Sequence, residues 1–329
     1  MFLLSDLVQQ KQKLSDWGNR TLPEGTISAS QVKQGLKLSP ELEARLEVKS
    51  LDLNWTKTHG ASQVFGISEE WSAPFADYSG DVLQATWTNL KRSSYVDAQG
   101  NTHKISKIVM TLRNVICDKA EDGDSNSQNY RPKFMFFREP TKSFWYDYVS
   151  SADIHTVYID DQGNAITFAP GTAYLSVLSL NRSEARTEGV QALSGTPLAL
   201  EGSSVVLHND GLYADRNNDE LWVDDAGNAH AIDQDHHRNW DEPVTYPYTY
   251  FGSGLIELAG SSADYRIFTK RLYGNNPTWF QNSTIIPTTL IPETKINYHF
   301  TTIRCVPRLQ NGKKWRNFFF CQNNLSFAM

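Results

Sequence analysis

The sequence predicts an all-β protein, a sandwich of antiparallel strands with short helical excursions. Three observations predict it. Short aromatic and β-branched runs recur from about Leu51 onward, separated by Gly, Asn, Asp and Pro. Two such runs, Val82 to Asn89 and Lys104 to Arg113, flank a polar connection with the turn signal Asp97-Ala98-Gln99-Gly100. Within the second run, Ile105, Ile108 and Met110 interleave with Lys107 and Thr111, as a half-buried antiparallel pair requires. No repeat of fixed period and no low-complexity linker interrupts the β region. It therefore reads as one large sandwich domain, not a parallel α/β sheet.

The elements follow in order. Residues 1–50 read as a partly helical arm. Leu3, Leu4, Leu7 and Val8 sit at helical spacing. Ser39 reads as an N-cap, with Pro40 in the first turn and Glu41 and Glu43 beside it. Between them residues 21–30 form a loop. Residues 51–308 are the β domain, with strands expected at 133–137, 154–159, 173–178, 204–208, 255–258 and 265–268. The turn Asp161-Gln162-Gly163-Asn164 joins 156–159 to 165–168 as a hairpin, and Asp225-Ala226-Gly227-Asn228 joins 221–223 to 229–232. Residues 309–329 are a basic and then aromatic tail, with Phe318-Phe319-Phe320 as an edge strand or an exposed apolar segment.

Bulk properties narrow the function. A chain of 329 residues buries a sizeable core without staples. The net charge of -6 argues against DNA as the main ligand, because phosphate recognition needs a basic face. No run is long and apolar enough to span a membrane. The opening apolar block, MFLL, is too short for a signal-peptide core. Three cysteines without a C-x-x-C pair make a structural zinc site improbable, and Cys305 and Cys321 are either a disulfide or two thiols.

Several groups carry candidate chemistry. Asp215, Asn217 and Asp219 place oxygen ligands at alternate positions, a spacing that suits Ca2+. Their loop lacks the glycine and the distant glutamate of an EF-hand. The acidic run Asp118, Glu121, Asp122, Asp124 and Asn126 is a second cation candidate, with a solvated loop as the plain alternative. Asp233, Asp235, His236 and His237 form a dense polar knot beside Trp240 and Asp241, but the H-E-x-x-H spacing is absent. No G-x-S-x-G elbow and no phosphate-cradling glycine loop occurs. With 37 acidic residues, some carboxylate pair always meets glycosidase spacing, so that count decides nothing.

Aromatic residues interleaved with Asp, Asn and Gln are more informative. They include Trp145, Tyr146, Trp222, Trp240, Tyr248, Tyr250, Phe251 and Trp279, with Asp147 among the polar neighbours. Sugars stack C–H faces on rings while polar side chains take the hydroxyls. Core packing is the alternative for each ring. Trp145 and Trp240, flanked by polar residues, are the strongest candidates for exposure.

The segment GDVLQATWTNLKRSSYVDAQGNTHKISKIVMTLRN, 80–114, resembles the opening of the domain shared by glucan-binding protein C and the variable region of streptococcal antigen I/II adhesins. YIDDQGNAITF (158–168), YLSVLSLNR (174–182), Gly202-Ser203-Ser204, Gly211-Leu212-Tyr213-Ala214 and YFGSGLIELAG (250–260) resemble further segments of that family in the same order. Tyr250 stands where the family carries tryptophan. The resemblance covers roughly 75–307.

The resemblance implies a β-supersandwich of two large antiparallel sheets, and a non-enzymatic cell-surface adhesin of Gram-positive bacteria. It implies a glucan, dextran-like or glycoprotein ligand, sometimes with a bound metal ion, in a part of a longer wall-attached protein. The expected ligand-binding residues are Trp145, Asp147, Trp222, Asp235, Trp240, Tyr248, Tyr250 and Phe251, with Asp215, Asn217 and Asp219 holding Ca2+. Specificity is expected in the loops at 118–150 and 215–251. Two other readings compete. One is an extracellular-DNA binder using Lys91, Arg92, Lys104, Lys107, Lys133, Arg138 and Lys142, as in enterococcal aggregation substances. The other is a carbohydrate-active enzyme using Asp233, Asp235 and Glu242.

Overall fold

The computed structural model describes residues 21–58, 67–118, 131–241, 247–271 and 278–288. Nearly all of these fall in a single unit, Leu22–Leu290. The helical spacing near Leu3, the acidic run beyond Asp118, Glu242, Cys305, Cys321 and the 309–329 tail lie outside the described residues.

A ten-stranded sheet forms one layer. Its main path runs Val205–His208, Gly211–Ala214, Arg186–Ala192, Ala263–Arg271, Val149–Asp160, Thr102–Cys117, Tyr78–Thr88 and Arg45–Ser50. The pairings along this path are antiparallel. The expected pair at 80–114 lies at its centre as Tyr78–Thr88 on Thr102–Cys117. Ile105, Ile108, Met110, Leu112 and Val115 are buried, while Lys107 and Arg113 are only partly so. Ile105 and Ile108 share a face because the register slips between Ile159 and Asp160 opposite them. A second slip near Asp81 buries both Val82 and Leu83. Gly80 and Asn114, with φ of 76° and 47°, are joined there by the Gly80 N–H donating to Asn114 Oδ1 at 2.9 Å.

Two five-stranded sheets share a core with this layer. One runs Thr278–Phe280, Phe144–Asp147, Lys133–Phe137, Ile67–Ser72 and Thr56–Lys57. Its Phe134, Phe136, Phe144, Tyr146 and Phe280 enter the same cluster as Trp87, Ile154, Tyr265 and Ile267 of the large sheet. Trp87 Nε1 donates to the Phe137 carbonyl at 3.0 Å, and Tyr146 Oη lies 2.6 Å from Thr269 Oγ1, tying the layers together.

The other runs Thr26–Ile27, Thr196–Leu200, Gly254–Glu257, Tyr174–Val177 and Asn282–Ser283. It is covered on both faces, so Tyr174–Val177 is buried throughout and Gly254–Glu257 at its first three positions. Ala199 and Ile256 join the main core. Leu200 and Leu255 join a second cluster with Val223, Trp240, Tyr250 and Phe251. That second cluster lies beneath the excursion carrying the hairpin of Leu221–Val223 and Ala229–Ala231.

Two local expectations are corrected. Ser39 to Glu43 is a turn, not a helix start. The buried Glu41 carboxylate is committed elsewhere, accepting from the backbone N–H groups of Lys91, Arg92 and Ser93 at 2.9, 2.7 and 2.9 Å. The chain is therefore already sheet here, with Leu36–Lys37 paired to Ser94–Val96 and Arg45–Ser50 to Tyr78–Thr88. The hairpin partner expected at 165–168 is reduced to the bridges Ile159 to Ala165 and Phe168 to Gly260.

Candidate functional site

The strand Arg186–Ala192 lies one place in from the Gly211–Ala214 and Val205–His208 hairpin that ends the large sheet. A pocket sits at each end of it. The larger, about 500 Å³, is lined by Glu24, Gln191, Ala192, Pro197, Leu207, His208, Asn209 and Gly211. The other, about 360 Å³, is lined by Arg182, Ser183, Glu184, Ala185, Arg186, Thr187, Asn217 and Lys270. At ~3.3 Å per residue, Thr187 and Gln191 stand about 13 Å apart along the strand.

Between the pockets the strand carries Gly189, and its missing side chain makes room for an aromatic ring. A Cβ there would come within 2.2 Å of Phe268 Cζ. Phe268 meets Tyr213 edge-on at 6.0 Å, and Tyr213 stacks on the His208 ring at 3.7 Å with an 8° interplanar angle. Lys270 Nζ lies 5.2 Å from the Phe268 ring and 5.3 Å from the Tyr213 ring, and 2.9 Å from Asp210. His208 Nε2 and Asn217 Oδ1 are buried with no hydrogen-bond partner among the described residues.

Behind the smaller pocket lies a charged network. Arg186 reaches Glu188 at 3.4 Å and Asp219 at 3.5 Å. Arg238 pairs with Asp219 and, at 2.9 Å, with Asp241. Burial pushes the Glu188 carboxyl up to about 6 against the pull of Arg186. Asn181 donates to Glu188 from its backbone and its side chain, both at 3.2 Å. Arg182 N–H donates to Asn218 Oδ1 at 2.7 Å, and its Nη1 to the Ala214 carbonyl at 2.8 Å.

The structure separates the residues expected at the site. Trp240, Tyr250 and Phe251 are 1%, 2% and 5% exposed. They fill the second cluster, so they offer no open ring face to a ligand. Trp240 Nε1 donates to the Leu221 carbonyl at 2.9 Å. Burial pushes the Tyr250 hydroxyl up to about 12. Asp147 is also buried, and accepts from the Tyr148 N–H at 2.9 Å. Trp145 is half-buried in the five-stranded sheet and lies beside its cross-strand partner Trp279, with centroids 5.8 Å apart and planes 9° apart.

Trp222 and Tyr248 stay at the surface of the excursion. Trp222 stacks on His236 at 4.0 Å and meets His230 at 4.9 Å. The Tyr248 hydroxyl donates to Asp225 Oδ1 at 2.5 Å. Asp235 is exposed and its N–H donates to Asp233 Oδ1 at 2.8 Å. The bond to His236 holds the Asp233 carboxyl below the usual carboxylate range, and His230 does the same for Asp224.

Both carboxylates expected to hold Ca2+ are paired with arginines. Asp215 is held by Arg216 at 2.8 Å, and Asp219 by Arg238 and Arg186. Among the described residues, no group of three His, Cys, Asp or Glu side chains is placed to hold a metal. Of the basic residues weighed for DNA, Lys91 pairs with Glu43 at 2.5 Å. Lys104 and Lys107 lie on the large sheet, while Lys133, Arg138 and Lys142 lie on or beside the first five-stranded sheet.

Apart from Asn217, the pocket residues were missed because separate stretches supply each pocket, three for the smaller and four for the larger. A signal existed, since segments that carry the resemblance converge here. Asn181-Arg182 closes YLSVLSLNR, Gly211 and Tyr213 belong to the Gly-Leu-Tyr-Ala segment, and Ser204 accepts from Asn218 Nδ2 at 2.9 Å. Leu180 N–H donates to the Gly252 carbonyl of the YFGSG segment at 2.9 Å.

The described residues form stacked sheets with two pockets at the edge of the large one. The glucan-binding protein C family model matches residues 20–283, and the chain belongs to that family. The chain is similar in structure to glucan binding protein C of Streptococcus mutans, described as mediating sucrose-independent and sucrose-dependent adherence. That match has a TM-score of 0.57 and 17% identity, over 79% of this chain and 80% of that one. It is also similar to the adhesin domain of PrgB from Enterococcus faecalis, with a TM-score of 0.52 and 13% identity, over 85% and 98%. The same domain bound to DNA matches with a TM-score of 0.48 and 16% identity, over 70% and 75%. These structural neighbours are adhesins and binding proteins.

Proposed function

We propose that this chain is a non-enzymatic, cell-surface adhesin domain that binds a glycan, either a glucan or the carbohydrate of a host glycoprotein. One observation carries the reading. The larger pocket presents Glu24, Gln191, His208 and Asn209 beside Ala192, Pro197 and Leu207, and no Lys or Arg lines it. Amides, an imidazole and a carboxylate take sugar hydroxyls, and the apolar wall takes C–H faces. A phosphate backbone would instead meet Glu24 with no cation beside it. His208 is among the lining residues, and the Tyr213 stack fixes its ring.

Calorimetry with dextran, other α-glucans and glycoprotein glycans tests this. Binding is expected, and His208→Ala and Gln191→Ala each weaken it about tenfold, the loss of one hydrogen bond to a desolvated partner. Absence of binding to every glycan, or wild-type affinity in both variants, overturns the reading.

A further inference from the structure

We propose that the pocket beside Arg186 is a second subsite, which takes an acidic group of the glycan, a carboxylate or a sulfate. This inference rests on the glycan reading above and names the ligand class more narrowly, as an acidic polysaccharide.

The subsite is built around Arg182. Arg182 is half-buried, its guanidinium donates to the Ala214 carbonyl, and it has no carboxylate partner among the described residues. Most of its N–H donors therefore remain for a ligand, in the planar fork that matches carboxylate and sulfate oxygens. Lys270 adds a second cation. Its bond to Asp210 is a surface pair, with side chains 61% and 54% exposed, and such pairs exchange easily for a better partner. The Arg186 side chain is only 16% exposed and is pinned from behind, so it contributes a fixed charge.

Glu188, Asp219 and Asp210, which hold Arg186 and Lys270, are not among the lining residues. Glu184, the acid that is, is exposed to solvent. The cations thus face the pocket while their counter-charges stand behind or beside it. The neutral pocket lies about 13 Å further along the same strand, a distance that one extended polymer covers. The two pockets differ in charge, so a chain with acidic and neutral sugars satisfies both where plain dextran satisfies one.

The test compares matched polymers on the full chain. The probes are polygalacturonate and its methyl ester, dextran and dextran sulfate, and a short DNA duplex, each at low and high salt. The acidic member of a glycan pair is expected to bind about tenfold more tightly than its neutral partner at low salt. Arg182→Gln and Lys270→Gln each remove most of that preference, and Arg182→Lys restores only part, because an ammonium lacks the fork. Thermal unfolding confirms that each variant is folded. A preference confined to polygalacturonate identifies the group as carboxylate, and one confined to dextran sulfate identifies it as sulfate.

Equal affinity within both pairs, or a preference that survives in both Gln variants, overturns the subsite. Tighter Arg182-dependent binding of DNA than of either acidic glycan assigns the pocket to phosphate and also overturns it. Neutral dextran bound without any charge preference leaves the glycan reading standing and removes this one. Free sulfate or glucuronate that stabilises the wild type but not Arg182→Gln, with no polymer bound, does the reverse.

Discussion

Gly252 ends a one-turn helix, Thr249–Gly252, and the ring of Trp240 lies directly on it. A Cβ at this position would stand 2.2 Å from Trp240 Cζ3 and 2.5 Å from Cε3. Ordinary carbon contacts are about 3.5 Å or more, so Gly252→Ala forces an overlap of more than an ångström. The ring has nowhere to retreat. It is 1% exposed and meets Phe251 edge-on at 5.8 Å. Sliding it away breaks the Nε1 bond to the Leu221 carbonyl, and moving the backbone breaks the Leu180 bond to the Gly252 carbonyl. Overpacking typically costs about 1–3 kcal/mol and a lost hydrogen bond about 1 more. A loss of about 3 kcal/mol is expected, read as a fall of roughly 6–12 °C in Tm. A double-mutant cycle makes the cause specific. Trp240→Ala alone costs about 3–5 kcal/mol through the cavity it leaves. In that background Gly252→Ala should cost almost nothing, giving a coupling of about 3 kcal/mol. A Tm for Gly252→Ala within about 1 °C of wild type, or additive losses in the double variant, would refute the placement of Trp240 against Gly252.

Three further outcomes follow from the same packing. Glu41→Ala leaves three buried or half-buried backbone N–H groups without their carboxylate, and should cost about 3 kcal/mol in urea unfolding; a cost below about 1 kcal/mol would mean that water replaces the carboxylate. Glu188 has a folded value raised to about 6, above its unfolded one, so its contribution is full below about pH 4.5 and is lost as pH rises through 6. That loss amounts to about 2 kcal/mol between pH 4.5 and 7, and Glu188→Gln should flatten it; an unchanged difference in stability between those two pH values would contradict the burial argument. Trp145 and Trp279 form a paired aromatic surface on the five-stranded sheet. If polymeric glycans also stack there, Trp279→Ala weakens binding of long chains several-fold and leaves short oligosaccharides unaffected, whereas equal loss for both lengths places Trp279 elsewhere in recognition.

What was legible in the sequence, and what was not, follows from the range of the interactions involved. The central strands could be read because alternation is local: Met110, Leu112 and their neighbours carry the period in one segment. Asp97, Asp160 and Asp224 each accept from the N–H groups two and four residues on, so their turns were legible as well. Ser39 to Glu43 misled because its local helix signals lose to three backbone donors about 50 residues away. Trp240 misled for a related reason. Its polar sequence neighbours suggested exposure, but they are what holds the excursion down over the ring. Asn239 clamps the Val223 backbone through Oδ1 at 3.0 Å and Nδ2 at 2.8 Å, and Arg238 and Asp241 close on each other and on Asp219 and Ser179. Polarity beside a tryptophan therefore marked the seam of a second core. By the same reasoning, the residues able to meet a ligand are those whose hydrogen bonds remain unspent after folding. Arg182 meets that test, and Trp240 and Asp219 do not.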